Sequence, residues 1–257
     1  MEGVSMSIDG DNIQGLSKEK VIEKYFQMKL SRDRVFAIAS HDLRSPFSGL
    51  LGISEMLSNN IDSFSPEELQ EYLRTIHESL QNTYNLIDNL FEWGKIERNK
   101  LDKTVEQIPF KLVLEEILNN IAPDILRKEI SIEHDYDSQL IIMANSKMLE
   151  FVLKNFLINA IKFSARGSRV LIRCIRNGAE VEIQVVDEGT GISPENQEKL
   201  FKPEVIWKRH GTEGEPGTGL GLLASGRYAE YFNASMKVKS SEGDGSTFSL
   251  ILSAPLS

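Results

Sequence analysis

The stretch Val170-Leu171-Ile172-Arg173-Cys174-Ile175-Arg176-Asn177-Gly178-Ala179-Glu180-Val181-Glu182-Ile183-Gln184-Val185-Val186 decides the class of fold. Two runs rich in β-branched residues alternate, and Asn177-Gly178 between them is the strongest short-range hairpin signal. Outward from this hairpin, strands and helices alternate from Thr104 onward. Residues 105–110, 130–134 and 140–143 read as short strands. Residues 111–128 read as a helix interrupted at Pro123, which lacks the N–H a helix interior needs. Residues 146–163 read as a helix capped by Ser146, and 220–232 as another. Residues 236–239 and 246–252, joined by Glu242-Gly243-Asp244-Gly245, read as a final hairpin. Helices on one face of a mixed sheet make an α/β sandwich.

The first hundred residues have a different period. Ile22, Phe26, Lys29, Asp33, Phe36, Ser40, Leu43, Phe47, Leu50, Ser54, Leu57 and Ile61 follow in steps of three and four, a seam that is apolar only from Leu43 on. Ser65-Pro66-Glu67-Glu68 reads as a helix start, with Ser65 as N-cap, Pro66 in the first turn and Glu68 closing a capping box. A second seam follows at Leu69, Leu73, Ile76, Leu80, Thr83, Ile87 and Leu90, widened by Leu86 and Trp93. Two helices joined at 58–65 make a hairpin. One hairpin does not cover both seams, so a second copy completing a four-helix bundle is the economical arrangement. The alternative is that both seams pack on the rest of the same chain. The fold class expected is therefore α plus α/β: a 1–20 tail, a dimeric helical hairpin over 21–102, and an α/β sandwich over 103–257.

Composition narrows the functions. The 257 residues are 40% hydrophobic and 26% charged, enough apolar material for a core. The net charge of -9 argues against a nucleic-acid sheath. One cysteine, Cys174, allows no intramolecular disulfide, and a cytoplasmic compartment is expected. No apolar run approaches a membrane span, and residues 1–15 are too polar and acidic for a signal peptide. If the full-length protein has a membrane anchor or sensor, it is expected outside this chain.

Four constellations carry chemistry. His41 sits in Ser40-His41-Asp42-Leu43-Arg44-Ser45-Pro46. Pro46 leaves the Asp42 carbonyl without its helical donor, so a bend is expected there. Asp42 is placed to take the N–H of one ring nitrogen and leave the other nucleophilic. Alone, such a pair is better explained by a solvated or capping histidine on an amphipathic helix. His77, His134 and His210 lack that neighbourhood. Asn155 and Asn159 lie four apart on one helix face with Lys162 beyond, suited to a hydrated Mg²⁺ and phosphate. Asp187-Glu188-Gly189-Thr190-Gly191 follows a strand, where an acid accepts from an exocyclic amine and glycines allow close approach. Gly217-Thr218-Gly219-Leu220-Gly221 opens a helix whose N–H groups suit phosphate, without the spacing of a dinucleotide fingerprint or a P-loop.

The order of these segments resembles the sensor histidine kinases of bacterial two-component systems, from about residue 30 on. They match that family's H, N, G1, F and G2 boxes, with Phe201 as the F box. The ending Gly245-Ser246-Thr247-Phe248 and Phe91-Glu92-Trp93-Gly94-Lys95-Ile96 match as well. The resemblance implies a dimerisation and phosphotransfer hairpin followed by a Bergerat-type ATP-binding domain. It implies His41 as phosphoacceptor, Asp42 as general base, Asn159 as Mg²⁺ ligand assisted by Asn155, and Lys162 toward phosphate. Asp187 is then on adenine, with Gly189, Gly191, Phe201, Gly217, Thr218, Gly219, Leu220 and Gly221 shaping the ATP pocket. Residues 202–216 are then a mobile ATP lid. Its Trp207, Lys208, Arg209 and His210 match no motif: Lys208 or Arg209 is a candidate for the γ-phosphate, and a solvated basic loop is the equal alternative. Ser45 stands where relatives carry a residue that orients phosphatase water. Asn233-Ala234 replaces a usual Gly-Gly, which is expected to alter only a turn. The partners implied are a second copy of the chain and a response-regulator receiver domain, with no nucleic acid and no membrane contact. Two other readings compete. A Bergerat-fold ATPase of gyrase, MutL or chaperone type needs a water-activating acid where Asn155 stands. A degenerate dimeric scaffold would have lost nucleotide chemistry, yet His41, Asn159 and Asp187 are present.

Overall fold

The computed structural model describes residues 18–98, 101–202, 205 and 207–253, without the side chains of 18–34, 36, 38 and 39. Residues 1–17 of the expected 1–20 tail, and the side chains of the outer part of the first seam, lie outside the described residues.

Helix α1 spans Lys18–Asn60 and runs on through Pro46. A 3₁₀ turn at Ile61–Ser63 leads to α2, Pro66–Glu97. Its start is the capping box expected from sequence. The Ser65 side chain accepts from the Glu68 amide at 3.2 Å, and the Glu68 carboxylate accepts from the Ser65 amide at 2.8 Å.

The second unit begins with β1 (Glu106–Pro109), α3 (Phe110–Asn120) and α4 (Ala122–Arg127), with Pro123 in the first turn of α4. Then come β2 (Ser131–Asp135), β3 (Ile141–Ala144) and α5 (Ser146–Phe163). The cap of α5 is Asn145, not Ser146: the Asn145 carbonyl accepts from the Met148 amide at 3.0 Å. The Asn145 Nδ2 donates to the Asp102 and Thr104 carbonyls, so this side chain also ties down the incoming chain. Strands β4 (Arg169–Asn177) and β5 (Glu180–Asp187) pair antiparallel with Asn177 opposite Glu180. The turn residues are therefore Gly178-Ala179, one place beyond the expected Asn-Gly. Gly178 has φ 61, and a glycine with positive φ at the first turn position is what a two-residue type II′ loop requires. After a short α6 (Pro194–Gln197), absent from the sequence reading, come α7 (Leu220–Tyr231), β6 (Ser235–Ser240) and β7 (Ser246–Ser253).

Five strands form a sheet in the order β2-β4-β5-β7-β6, and β1 pairs with β3 apart from it. Its inner face buries Val170, Ile172, Ile183, Val185, Phe248 and Leu250 against Phe156, Leu157 and Leu153 of α5. That is the α/β sandwich expected. Each fully buried side chain of this kind contributes about 1.5–3 kcal/mol. Asn233 takes φ 55 where the resemblance led one to expect glycine; asparagine tolerates that region, and the Ala234 amide still bonds the Ala229 carbonyl at 2.8 Å.

The hairpin is covered partly by its own chain. Val35, Leu86 and Trp93 are buried with Leu220, Leu223 and Ala224 of α7. Phe47, Leu51, Leu73, Leu80, Tyr84 and Phe91 stay exposed. The seams thus divide between same-chain packing and an open face.

Candidate nucleotide site and phosphoacceptor

Asp187 ends β5 with only 4% of its surface exposed. The amides of Gly189 and Ser246 donate to its Oδ1 at 2.9 and 3.2 Å, so Oδ2 keeps its acceptor capacity. Burial pushes its pKa up to about 6, against the opposing pull of those two amides. The glycines make room. A Cβ on Gly189 would lie 2.6 Å from the Phe163 carbonyl, and Gly191, at φ 64, would clash with the Ser241 carbonyl.

A cleft of about 240 Å³ runs along α5, and Asp187 itself lines a smaller space next to it. Asn155, Asn159 and Lys162 line the cleft from one side, and Gly217, Thr218, Gly219 and Gly221 from the turn before α7. The Asn155 Nδ2 donates to the Phe151 carbonyl at 3.0 Å, which leaves its Oδ1 beside Gly221. A side chain at Gly221 would fall 2.4 Å from that oxygen. Lys162 donates to the Pro216 carbonyl at 2.6 Å, and burial pulls its pKa down to about 8. Gly219 has φ 70, and the Thr218 hydroxyl accepts from the Leu220 amide at 3.3 Å, starting α7. The side chain of Leu220 is not in the cleft; it is buried in the cluster with Val35 and Leu86. Phe201 packs on the core and lies 3.7 Å from a Cβ built at Gly226, so it anchors the near end of the lid on α7.

The lid departs from its expectation of general looseness. Residues 211–216 are tied to the end of α5. The Thr212 amide and hydroxyl bond the carbonyls of Lys162 and Ser164. Lys128 is 0% exposed; it donates to the carbonyls of Ile161 and Lys162 and to the Thr212 hydroxyl, and pairs with Glu215 at 2.7 Å. Sequence reading missed Lys128, because nothing local marks a lysine whose partners lie about a lid away. Nearer Phe201, Trp207 and Arg209 line a space of about 30 Å³ beside Asp187, and Arg209 donates to the Gly191 carbonyl at 2.8 Å. That space holds no more than a few waters, so a base enters only if Trp207 and Arg209 move. In a Trp93→Phe background, Trp207 fluorescence is therefore expected to change with ATP and Mg²⁺, and not with Mg²⁺ alone. An unchanged emission at saturating ATP would place the base elsewhere.

The phosphoacceptor candidate lies on α1. The His41 side chain is 85% exposed, with Nδ1 3.3 Å from Asp42 Oδ1. Asp42 Oδ2 is bonded in turn by Lys208 of the lid. Ser45 is exposed one turn further on. The wall of the cleft opposite α5 is made by Gln81, Asn82, Asn85, Asp88 and Asn89 of α2. These were not singled out from sequence, though their spacing of three and four marks one helix face.

The fold joins a histidine-bearing helical hairpin to an α/β sandwich, with a cleft between α2, α5 and the turn before α7. Residues 31–99 match the family model described as His Kinase A (phospho-acceptor) domain, and residues 144–256 that of Histidine kinase-, DNA gyrase B-, and HSP90-like ATPase. The chain is 29% identical over 251 residues to the aerobic respiration control sensor protein ArcB of Escherichia coli, covering 95% of this chain and 32% of that protein. Among solved structures, the Acinetobacter baumannii histidine kinase AdeS superposes with a TM-score of 0.66 at 23% identity, over 84% of this chain and 98% of that one. Histidine kinase ThkA, in complex with response regulator protein TrrA, gives 0.66 at 17% identity, over 90% of this chain and 66% of that one. The chain belongs to the sensor histidine kinases. It spans about a third of the length of ArcB.

Proposed function

We propose that this chain binds ATP with Mg²⁺, transfers the γ-phosphoryl group to His41, and passes it to an aspartate of a response-regulator receiver domain. Residues 21–102 form the dimerisation and phosphotransfer domain and 103–257 the catalytic domain. The observation that carries the reading is the exposed imidazole of His41 held by Nδ1 against Asp42, in a chain whose cleft is lined by Asn155, Asn159, Lys162 and the glycine turn before α7. The Nδ1–H donated to Asp42 leaves the Nε2 lone pair as nucleophile, with Asp42 as base. Asp187 takes the adenine amine, and Lys162 with the N–H groups of 217–221 takes phosphate oxygens. Asn159 and the Asn155 Oδ1 supply neutral oxygen donors, which fit Mg²⁺ shared with phosphates and water. Among the described residues no three or more His, Cys, Asp or Glu gather for a metal. When bound, Mg²⁺ neutralises charge on the phosphates. Asn155 does not take a proton from water, which disfavours an ATPase of gyrase or chaperone type. Ser45, exposed one turn beyond His41, is the residue that would orient water on a regulator's phosphoaspartate. No described helix is long and apolar enough to cross a membrane, and a cytoplasmic location is proposed.

Incubation with γ-labelled ATP and Mg²⁺ tests the reading. Label that survives base and is lost in acid is expected. Base-labile label, or none, refutes it.

The exposed Phe47, Leu51, Leu73, Leu80, Tyr84 and Phe91 point to a homodimer through the hairpin. Each apolar side chain so buried adds about 1.5–3 kcal/mol. Sedimentation at micromolar concentration is expected to give a dimer, and Leu73→Glu with Leu80→Glu a monomer. A wild-type monomer would count against the bundle.

A further inference from the structure

Which of two hairpins a catalytic domain serves is decided by where its cleft faces, and here three contacts within one chain bear on that. Lys208 of the lid bonds Asp42, the neighbour of His41; the side chains of the pair are 36% and 18% exposed. Tyr228 of α7 bonds Glu92 of α2, and Leu220, Leu223 and Ala224 are buried against Leu86 and Trp93. Val35 and Leu43, on either side of His41 in α1, pack into that same cluster, so His41 is level with the part of α2 that docks on α7. That part of α2 also walls the nucleotide cleft through Asn85, Asp88 and Asn89.

We propose that the catalytic domain phosphorylates His41 of its own chain, with Lys208 as the positioning residue that holds the lid against Asp42. The inference rests on the kinase function proposed above. In the step, the bond from the γ-phosphorus to its bridging oxygen breaks and ADP leaves. A bond forms from phosphorus to His41 Nε2, and the Nδ1 proton passes to Asp42. The ion pair is made by the segment that must move to admit a base, so lid and acceptor are linked from the start. The apolar cluster and the Tyr228–Glu92 bond keep α7, and with it the phosphate-binding turn, on the same hairpin while Trp207 and Arg209 shift.

A dimer of two different chains distinguishes the alternatives. One chain carries His41→Gln and keeps its nucleotide site; the other carries Asp187→Ala and keeps His41. Co-expressed with different tags and purified through both, this mixed dimer is expected to take no label from γ-labelled ATP, while the wild-type dimer labels in the same assay. Label on the Asp187→Ala chain overturns the proposal in favour of transfer between chains. No label on the wild type overturns the kinase reading and this inference with it. Should the chain be monomeric, a specific labelling rate independent of protein concentration supports transfer within the chain, and a rate that rises with concentration overturns it. Lys208→Ala is expected to slow labelling at saturating ATP by about tenfold to a hundredfold, as misplaced reacting groups do, with ATP affinity changed less than twofold. Lys208→Arg is expected to restore most of the rate. A Lys208→Ala chain with the wild-type rate, or one whose whole defect lies in ATP affinity, removes Lys208 from the positioning role.

Discussion

His41→Gln is expected to abolish acid-labile label altogether while leaving ATP binding and thermal stability where they were. The side chain is 85% exposed and its polar contact is to the adjacent Asp42, so removing it opens no cavity and orphans no buried group. Surface substitutions of that kind change stability by about 0.5 kcal/mol or less. Nor does His41 line the nucleotide cleft, whose walls are α2, α5 and the turn before α7. Glutamine keeps length and polarity but has no nitrogen lone pair, so it offers the γ-phosphorus no nucleophile. The measurement is a pair: label after acid and base treatment, and calorimetric titration with a non-hydrolysable ATP analogue. Label retained on the variant would move the phosphoacceptor to another residue. His77, on the same hairpin, is the first alternative to replace.

What could be read from sequence was whatever a few neighbouring residues settle among themselves. Ser65 and Glu68 cap a helix through contacts three residues apart, and they do so in the fold. The alternation around Asn177-Gly178 fixed two strands, although Gly178-Ala179 form the turn, because cross-strand burial and not the favoured dipeptide sets the register. Asn145 displaced Ser146 as cap for the same reason. It also holds the carbonyls of Asp102 and Thr104, partners more than forty positions away. The residues proposed to bind nucleotide were marked by type and order, since Asp187, Asn155, Asn159 and the glycines each belong to a compact motif. The other half of the site was not marked. Lys128 gains its function from Glu215 and Thr212, Lys208 from Asp42, and Tyr228 from Glu92, and each pair joins elements distant in the chain. Leu220 sits inside a phosphate-binding motif yet spends its side chain on docking the hairpin. A motif reports which backbone is needed at a site. It does not report where the side chains between the glycines go.

Asp187→Asn is expected to stabilise the empty protein and to weaken ATP binding, two effects of opposite sign from one substitution. The carboxyl is buried, and its pKa rises from 3.8 to about 6 on folding. The folded state therefore binds more protons than the unfolded state between those values, so stability falls as pH rises through about 4 to 6. Above pH 6 the ionised Asp187 costs on the order of 3 kcal/mol relative to a site that leaves its pKa unshifted. Asparagine keeps a carbonyl for the amides of Gly189 and Ser246 and carries no charge to desolvate. The empty variant is thus expected to melt a few degrees above wild type at pH 7.5, and the gap is expected to close by pH 4, where Asp187 is itself protonated. ATP affinity moves the other way. With the carbonyl committed to two amides, the asparagine nitrogen presents N–H groups where the adenine amine also brings N–H groups, and no acceptor meets it. A lost charge-assisted bond of this kind costs about 1.5–3 kcal/mol, tenfold or more in affinity. Thermal melts across pH and a nucleotide titration measure the two halves separately. A variant that is less stable at every pH would show that the carboxylate serves the fold, and unchanged ATP affinity would show that the base binds elsewhere. On the proposed reading the two effects share one cause: the desolvation that raises the Asp187 pKa also strengthens the bond it would make to a donor brought by the nucleotide.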